Sequence, residues 1–282
     1  MAPGRVLREE DFPMFGLGFL VRTAYGTPKD LVTAVRAGTL VTVNRRSVGI
    51  VDYLNLGHTD SAKTKAAWAF KDLLLGLRSK PGLVPVPSGV ELVHVFSGKA
   101  NLDELNKVFR FIDDRIDAIA ATKNLPGWPA GKSLKQSIDA GENYLQKLSE
   151  VYCGFDCNGF VGLFLYEQTN LPSDIGPDTA IRTYLSMGGE FRESITDIEA
   201  NDLIIWSNLS HIAIVSDVSD AVGHTRRMGI AQSTGKSPRT GDKGPQYEQY
   251  MVSQAGKSGK HTEYQIHGEI VGGNVHIISL GL

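Results

Sequence analysis

Apolar residues recur along this chain with two different periods, and the change from one to the other divides it. Over residues 101–122, Leu102, Leu105, Val108, Phe109, Ile112, Ile116 and Ile119 stand three and four apart, which predicts one long amphipathic helix. Asp103, Glu104, Asp113, Asp114 and Asp117 then form its solvated side and no metal site. Another helix opens near Ser61, carries its apolar face from Ala66 to Leu77 and ends at Lys80-Pro81-Gly82. Ser133 caps a further helix that runs to about residue 151, and residues 181–187 predict a short one.

Stretches of β-branched and aromatic residues at 15–23, 39–44 and 47–54 predict strands, with Asn44-Arg45-Arg46 as a polar turn. Residues 90–96 alternate as a strand would, with His94 as a packed core residue. Beyond residue 200, strands are predicted at 201–206, 211–215, 230–234, 263–271 and 274–280. Residues 233–261, rich in Gly, Ser, Lys and Gln, read as a long loop at the edge of a cleft. The Pro-rich stretch ending at Pro87 marks a boundary. Residues 1–98 are therefore either a separate module for substrate or partner binding, or an extension of the domain formed by residues 99–282.

Between the helical and strand-rich regions lies Tyr152-Cys153-Gly154-Phe155-Asp156-Cys157-Asn158-Gly159-Phe160-Val161. This is a Gly-punctuated turn running into an apolar helix, with Asp156 as its N-cap. Cys157 falls at the first helical position, where backbone N–H groups and the helix dipole lower a thiol's pKa, so it is the candidate nucleophile. A small buried hydrophobe is the plainer role for a Cys, but a partner stands downstream. His211 opens the strand 211–215, and a helix-borne thiol facing an imidazole on a rigid strand is the pairing that a cysteine hydrolase requires.

Three segments resemble the NlpC family of cell-wall cysteine peptidases. Phe155-Asp156-Cys157-Asn158-Gly159-Phe160-Val161 resembles its nucleophile motif, Asn201-Asp202-Leu203-Ile204-Ile205-Trp206 a following strand, and His211-Ile212-Ala213-Ile214-Val215 its histidine strand. The order, Cys before His, is that of the ordinary members. The resemblance implies an α+β, papain-like NlpC-type domain of helices on a twisted antiparallel sheet, with an N-terminal α/β extension or small domain. It implies Cys157 as nucleophile, His211 as base and Gln232, in Ile230-Ala231-Gln232-Ser233-Thr234, as the residue that orients the imidazole. His224 is the alternative third residue. Tyr152 and Asp156 take the oxyanion or auxiliary places. Asn158 stands where the family usually has Ser, Ala213 where it usually has Gly, and Gln232 is a neutral amide. No metal or organic cofactor is implied. The expected substrate is a peptidoglycan stem peptide, with an exported antibacterial toxin and its neutralising immunity protein as one setting. A cysteine amidase or deamidase acting on an intracellular protein or small amide, and a non-catalytic binding module, are the alternatives.

Composition narrows the partners. The 282 residues are 41% hydrophobic and 21% charged, an ordinary globular balance with room for a proper core. A formal net charge of -2 points to neither nucleic acid nor an anionic membrane. No apolar run approaches the roughly 18 residues of a membrane span. The first ten residues mix charges of both signs without an apolar core, which predicts no Sec signal, hence a cytoplasmic location or a non-classical export route. Cys153 and Cys157 are too few for a disulfide framework and a poor zinc set, although a bond between them would disable the nucleophile. Gly131-Lys132-Ser133 is not a phosphate loop, because the first Gly of that pattern falls on Pro126.

Overall fold

Helices come first in the chain and strands last, in a computed structural model that describes residues 25–54, 61–168, 175–235, 242–267 and 273–281. The helical part comprises α1 (Pro28–Arg36), α2 (Ala62–Leu77), α3 (Gly89–Val95), α4 (Leu102–Asp114), α5 (Ile116–Ala120), α6 (Leu134–Asp139), α7 (Tyr144–Tyr152), α8 (Cys157–Tyr166) and α9 (Ile181–Ser186). A small hairpin, β1 (Val41–Val43) and β2 (Arg46–Val48), interrupts it after α1. The strands that follow are β3 (Glu190–Phe191), β4 (Leu203–Trp206), β5 (Ile212–Val222), β6 (Thr225–Thr234), β7 (Gly244–Ser258), β8 (His261–His267) and β9 (Asn274–Ser279). The class is α+β, and every pairing between these strands is antiparallel.

The expected twisted sheet closes on itself. Strands β4 to β9 pair in sequence, and β9 returns to β4, giving a six-stranded antiparallel barrel with β3 added against β9. Register shifts in β5 and β7 supply the extra local bend that closure requires. Alternation then sorts the side chains. Ile204, Trp206, Ala213, Val215, Ile230 and Tyr250 belong to the core inside the barrel. Their neighbours Leu203, Ile205, Ile212, Ile214 and Ala231 pack outward into the core shared with the helices.

α8 is the axle of that shared core. Its sequence is apolar all round, as a helix covered on every side must be, and residues 157–165 are all buried. Full burial of side chains such as Phe160, Leu163 and Phe164 is worth about 1.5–3 kcal/mol each. The N-terminal segments join the same core. Leu31, Val35, Val41, Val48, Ile50 and Leu54 are continuous with α8, and α1 bonds to the barrel through Lys29 N–H to Ser216 Oγ (3.1 Å) and Arg36 Nε to Pro245 O (3.0 Å). Residue 98 therefore separates no independent core.

Several sequence expectations are corrected. Residues 90–96 are helix, because Ser88 and Glu91 form a reciprocal capping box that starts α3. His94 on that helix is hydrogen-bonded to Glu104 at 2.6 Å and borders a cleft of about 150 Å³ with Lys99, Tyr166 and Asp178. The long helix over 101–122 breaks at Arg115, whose buried guanidinium turns to the carbonyl of Lys80 (2.7 Å). Residues 133–151 form two helices, parted where Gly141 takes a left-handed φ of 70°. Of residues 47–54 only the first two lie in β2, and Tyr53 makes a single parallel bridge to Phe155. The supposed loop over 233–261 holds the longest strand, β7; its polar residues fit because much of β7 is exposed. The strand expected at 15–23 lies outside the described residues.

Glycines decide how closely α8 approaches its surroundings. A Cβ on Gly159 would stand 1.7 Å from the carbonyl oxygen of Gly98. Gly159→Ala is expected to destabilise the protein by several kcal/mol, on the order of 3 or more, or to prevent folding. Urea unfolding or soluble yield measures this, and a near-neutral outcome would contradict the close approach described.

Candidate active site

The chain arrives at the candidate nucleophile through a clamped turn. α7 ends at Tyr152, and Phe155 is held by its own N–H to Asp52 O (3.0 Å), by Leu54 N–H to its carbonyl (3.4 Å), and by Ser233 Oγ donating to that carbonyl (2.6 Å). Asp156 then caps α8, accepting from Gly159 N–H at 2.5 Å, while its own N–H donates to Gly98 O at 3.4 Å. Cys157 is the first residue of α8, as the motif predicted.

His211 stands immediately before β5, at the end of a tight hairpin. Leu209 donates to Trp206 O (2.7 Å) with a left-handed φ of 57°, and Trp206 N–H donates to His211 O (3.2 Å). The Trp206 ring meets the imidazole edge-on, with centroids 4.7 Å apart at 75°. Gln232 Oε1 lies 2.8 Å from His211 Nε2. A carboxamide oxygen only accepts, so this contact places a hydrogen on Nε2 and, in the neutral ring, leaves Nδ1 with the basic lone pair. The backbone N–H of Ile212, the residue after His211, lies near enough to the Cys157 sulfur to favour its thiolate. Cys157 at the start of α8, His211 just before β5 and Gln232 of β6 are thus brought to one place. Cys157 and His211 are each only 7% exposed.

Electrostatics here oppose the simple expectation for a helix N-terminus. Burial pushes the Cys157 thiol up to about 11, and the Asp156 carboxylate beside it pushes the same way. The N–H groups of Ile212, Asn158 and Cys157 favour the thiolate but do not outweigh those two effects. Burial also raises the Asp156 carboxyl to about 6, against the lowering effect of the Gly159 N–H and of Lys99.

The remaining predicted residues are placed as follows. Tyr152 stacks face to face on Phe70 of α2, with centroids 4.1 Å apart at 5°. Its hydroxyl is buried without a hydrogen-bond partner among the described residues, and burial raises its pKa. His224 is exposed in the turn between β5 and β6, the far end of the hairpin from His211, some ten residues or about 35 Å of extended strand away. It takes no part in orienting His211. Cys153 is a buried free thiol, pushed up to about 12 by burial, and Cys157 is free as well. Asn158 anchors the 175–180 segment by donating to Thr179 O.

One residue at this place was missed. Gln246 of β7 stands opposite Gln232 across the β6–β7 ladder and is buried. Its segment read as loop, although Tyr250 and Val252, at even spacing after it, carry the period of a strand. No protein-family model, curated protein or solved structure matches this chain.

Asp156 supplies a pH test. Its folded-state value lies above the ordinary 3.8, so its stabilising contribution is complete below about 3.8 and is lost as pH rises through about 6. Asp156→Asn keeps an acceptor for Gly159 N–H and removes the charge. The variant is expected to exceed the wild type in stability by about 1–3 kcal/mol at pH 7.5, with the gain vanishing near pH 4. Its Cys157 thiol should titrate lower. Unfolding at both pH values and thiol alkylation against pH check the two effects.

Proposed function

We propose that the chain is a cysteine hydrolase that cleaves an amide bond, with Cys157 as nucleophile, His211 as general base and Gln232 as the residue that holds the imidazole. The observation that carries this reading is the 2.8 Å contact from Gln232 Oε1 to His211 Nε2, with the N–H of the next residue, Ile212, near enough to the Cys157 sulfur to favour its thiolate. A papain-like, NlpC-type arrangement is part of the proposal, resting on the three motif segments and on the Cys-bearing helix α8 packed against β5 and β6.

The chemistry follows from the groups present. A thiol held up near 11 is protonated at neutral pH, so its proton moves to Nδ1 of His211 as the sulfur attacks the carbonyl carbon. The N–H of Cys157, at the start of α8, is a donor for the oxyanion. Collapse of the tetrahedral adduct releases the amine, which takes the proton from His211 and leaves a thioester on Cys157. Water, deprotonated by His211, attacks the thioester and restores the thiol. Gln232 keeps the hydrogen on Nε2 throughout, so the ring rather than the amide changes charge.

The resemblance makes a peptidoglycan stem peptide the substrate, cleaved at a D-glutamyl bond to the next residue. A non-catalytic binding module is the second reading, favoured by the burial of the thiol and its raised pKa.

Digestion of purified peptidoglycan, read by mass spectrometry, tests the proposal. New stem-peptide fragments are expected with the wild type, none with Cys157→Ala, and rates roughly 10²–10⁴-fold lower with His211→Ala. If no fragments appear while Cys157 reacts with iodoacetamide much faster than in His211→Ala, the hydrolase stands and another amide is its substrate. Equal, slow labelling of both proteins would select the binding module.

A further inference from the structure

We propose that Leu209 is a specificity residue, forming an apolar wall for the amine side of the scissile bond; this rests on the reading of the site given above. The turn between β4 and β5 is closed by Leu209 N–H to Trp206 O (2.7 Å) and by Trp206 N–H to His211 O (3.2 Å). A turn of this kind needs a left-handed residue after its two central positions, and Gly or Asn normally fills that place. Here it is a leucine, at a φ of 57°. A bulky side chain costs free energy in that conformation, which glycine would avoid.

What Leu209 touches gives a reason for keeping it. Its side chain packs against the core shared with the helices, not the core inside the barrel. Leu209 therefore lies on the outer face of the hairpin, where Ile205 and Ile212 stand opposite each other in register. Cys157 belongs to the same core, and its sulfur is near the N–H of Ile212. The thiol and Leu209 thus share one face at one end of β5. Leu209 is only partly buried, between the exposed polar residues Asn208 and Ser210. Apolar surface is left open within two residues of the candidate base.

The turn is also held still. Ser207 N–H donates to Asn274 O (3.0 Å) and Ser207 Oγ to Glu263 Oε1 (2.9 Å), which fastens the turn to β9 and β8. Ser210 N–H donates to Asn208 Oδ1 at 3.0 Å. Leu209 is therefore a fixed wall and not a lid. In the proposed reaction His211 passes the thiol proton to the departing nitrogen. The amine leaves on the imidazole side of the sulfur, where the side chain on the histidine's own turn meets it. An apolar group on that amine gains from burial against Leu209, and a polar one does not. The favoured substrates are amides whose leaving amine carries an aliphatic or aromatic group close to the nitrogen.

The reverse step reads this wall without the natural substrate. With p-nitrophenyl acetate, the bond from the Cys157 sulfur to the acetyl carbon forms as the ester C–O bond breaks. Nitrophenolate is released in a burst, and the thiol proton passes through His211 to water. An added amine then attacks the thioester, loses its proton to His211 and departs as the N-substituted acetamide, restoring the thiol. It enters by the path that a leaving amine takes. The wild type is expected to use n-butylamine faster than ethanolamine at equal free-base concentration. Leu209→Asn, which suits the left-handed turn, should lower that preference by about fivefold or more with the burst unchanged. Leu209→Gly should do the same, so one folded variant decides. An unchanged preference in a folded variant, or none in the wild type, overturns the proposal and leaves the catalytic reading intact. A wild-type burst no larger than that of Cys157→Ala overturns both.

Discussion

Everything at the candidate site depends on how closely the start of α8 is pressed against backbone rather than side chains. Gly159 leaves no room for a Cβ beside Gly98 O, and Gly154 would place one 2.8 Å from Leu54. Asp156 N–H, Phe155 N–H and the Phe155 carbonyl are all bonded to segments distant in sequence. Backbone contacts of this kind cannot relax by a rotamer change, so Cys157 has one position. Ser233, which bonds Phe155, is the neighbour of Gln232, and the turn carrying the thiol is therefore fastened to the strand carrying the amide.

That fastening has an electrostatic consequence. A site held by buried backbone is poorly solvated, and desolvation dominates both ionisable groups in it, raising Asp156 and Cys157 alike. A helix N-terminus alone does not make a thiolate here. The three N–H groups around the sulfur instead favour charge at the moment it forms. On the proposed mechanism the imidazole must supply the rest, which is why its tautomer matters more than the resting charge of the thiol.

The nucleophile turn was legible because its signals are local. Asp156 before an apolar run marks a cap, and an all-apolar run marks a helix with no exposed face. The same locality misled at residues 90–96, where alternation over seven residues competed with a capping box beginning at Ser88, and the cap prevailed. Barrel closure was not legible, since it depends on β9 finding β4 some seventy residues away. β7 was hidden for a related reason. Its polar residues look like loop until the ladder with β6 shows which alternate positions face inward. Gln246 was lost with it, whereas Gln232 was found only through the resemblance of its segment.

On the proposed mechanism, a neutral third residue suits this barrel better than a charged one would. Gln232 and Gln246 sit at the end of an apolar interior, near Trp206, where a carboxylate would bear a desolvation cost of the kind that already raises Asp156 nearby. A carboxamide escapes that cost and still accepts from Nε2–H. It gives up the directional certainty of a carboxylate, whose two oxygens are equivalent and cannot face the ring the wrong way.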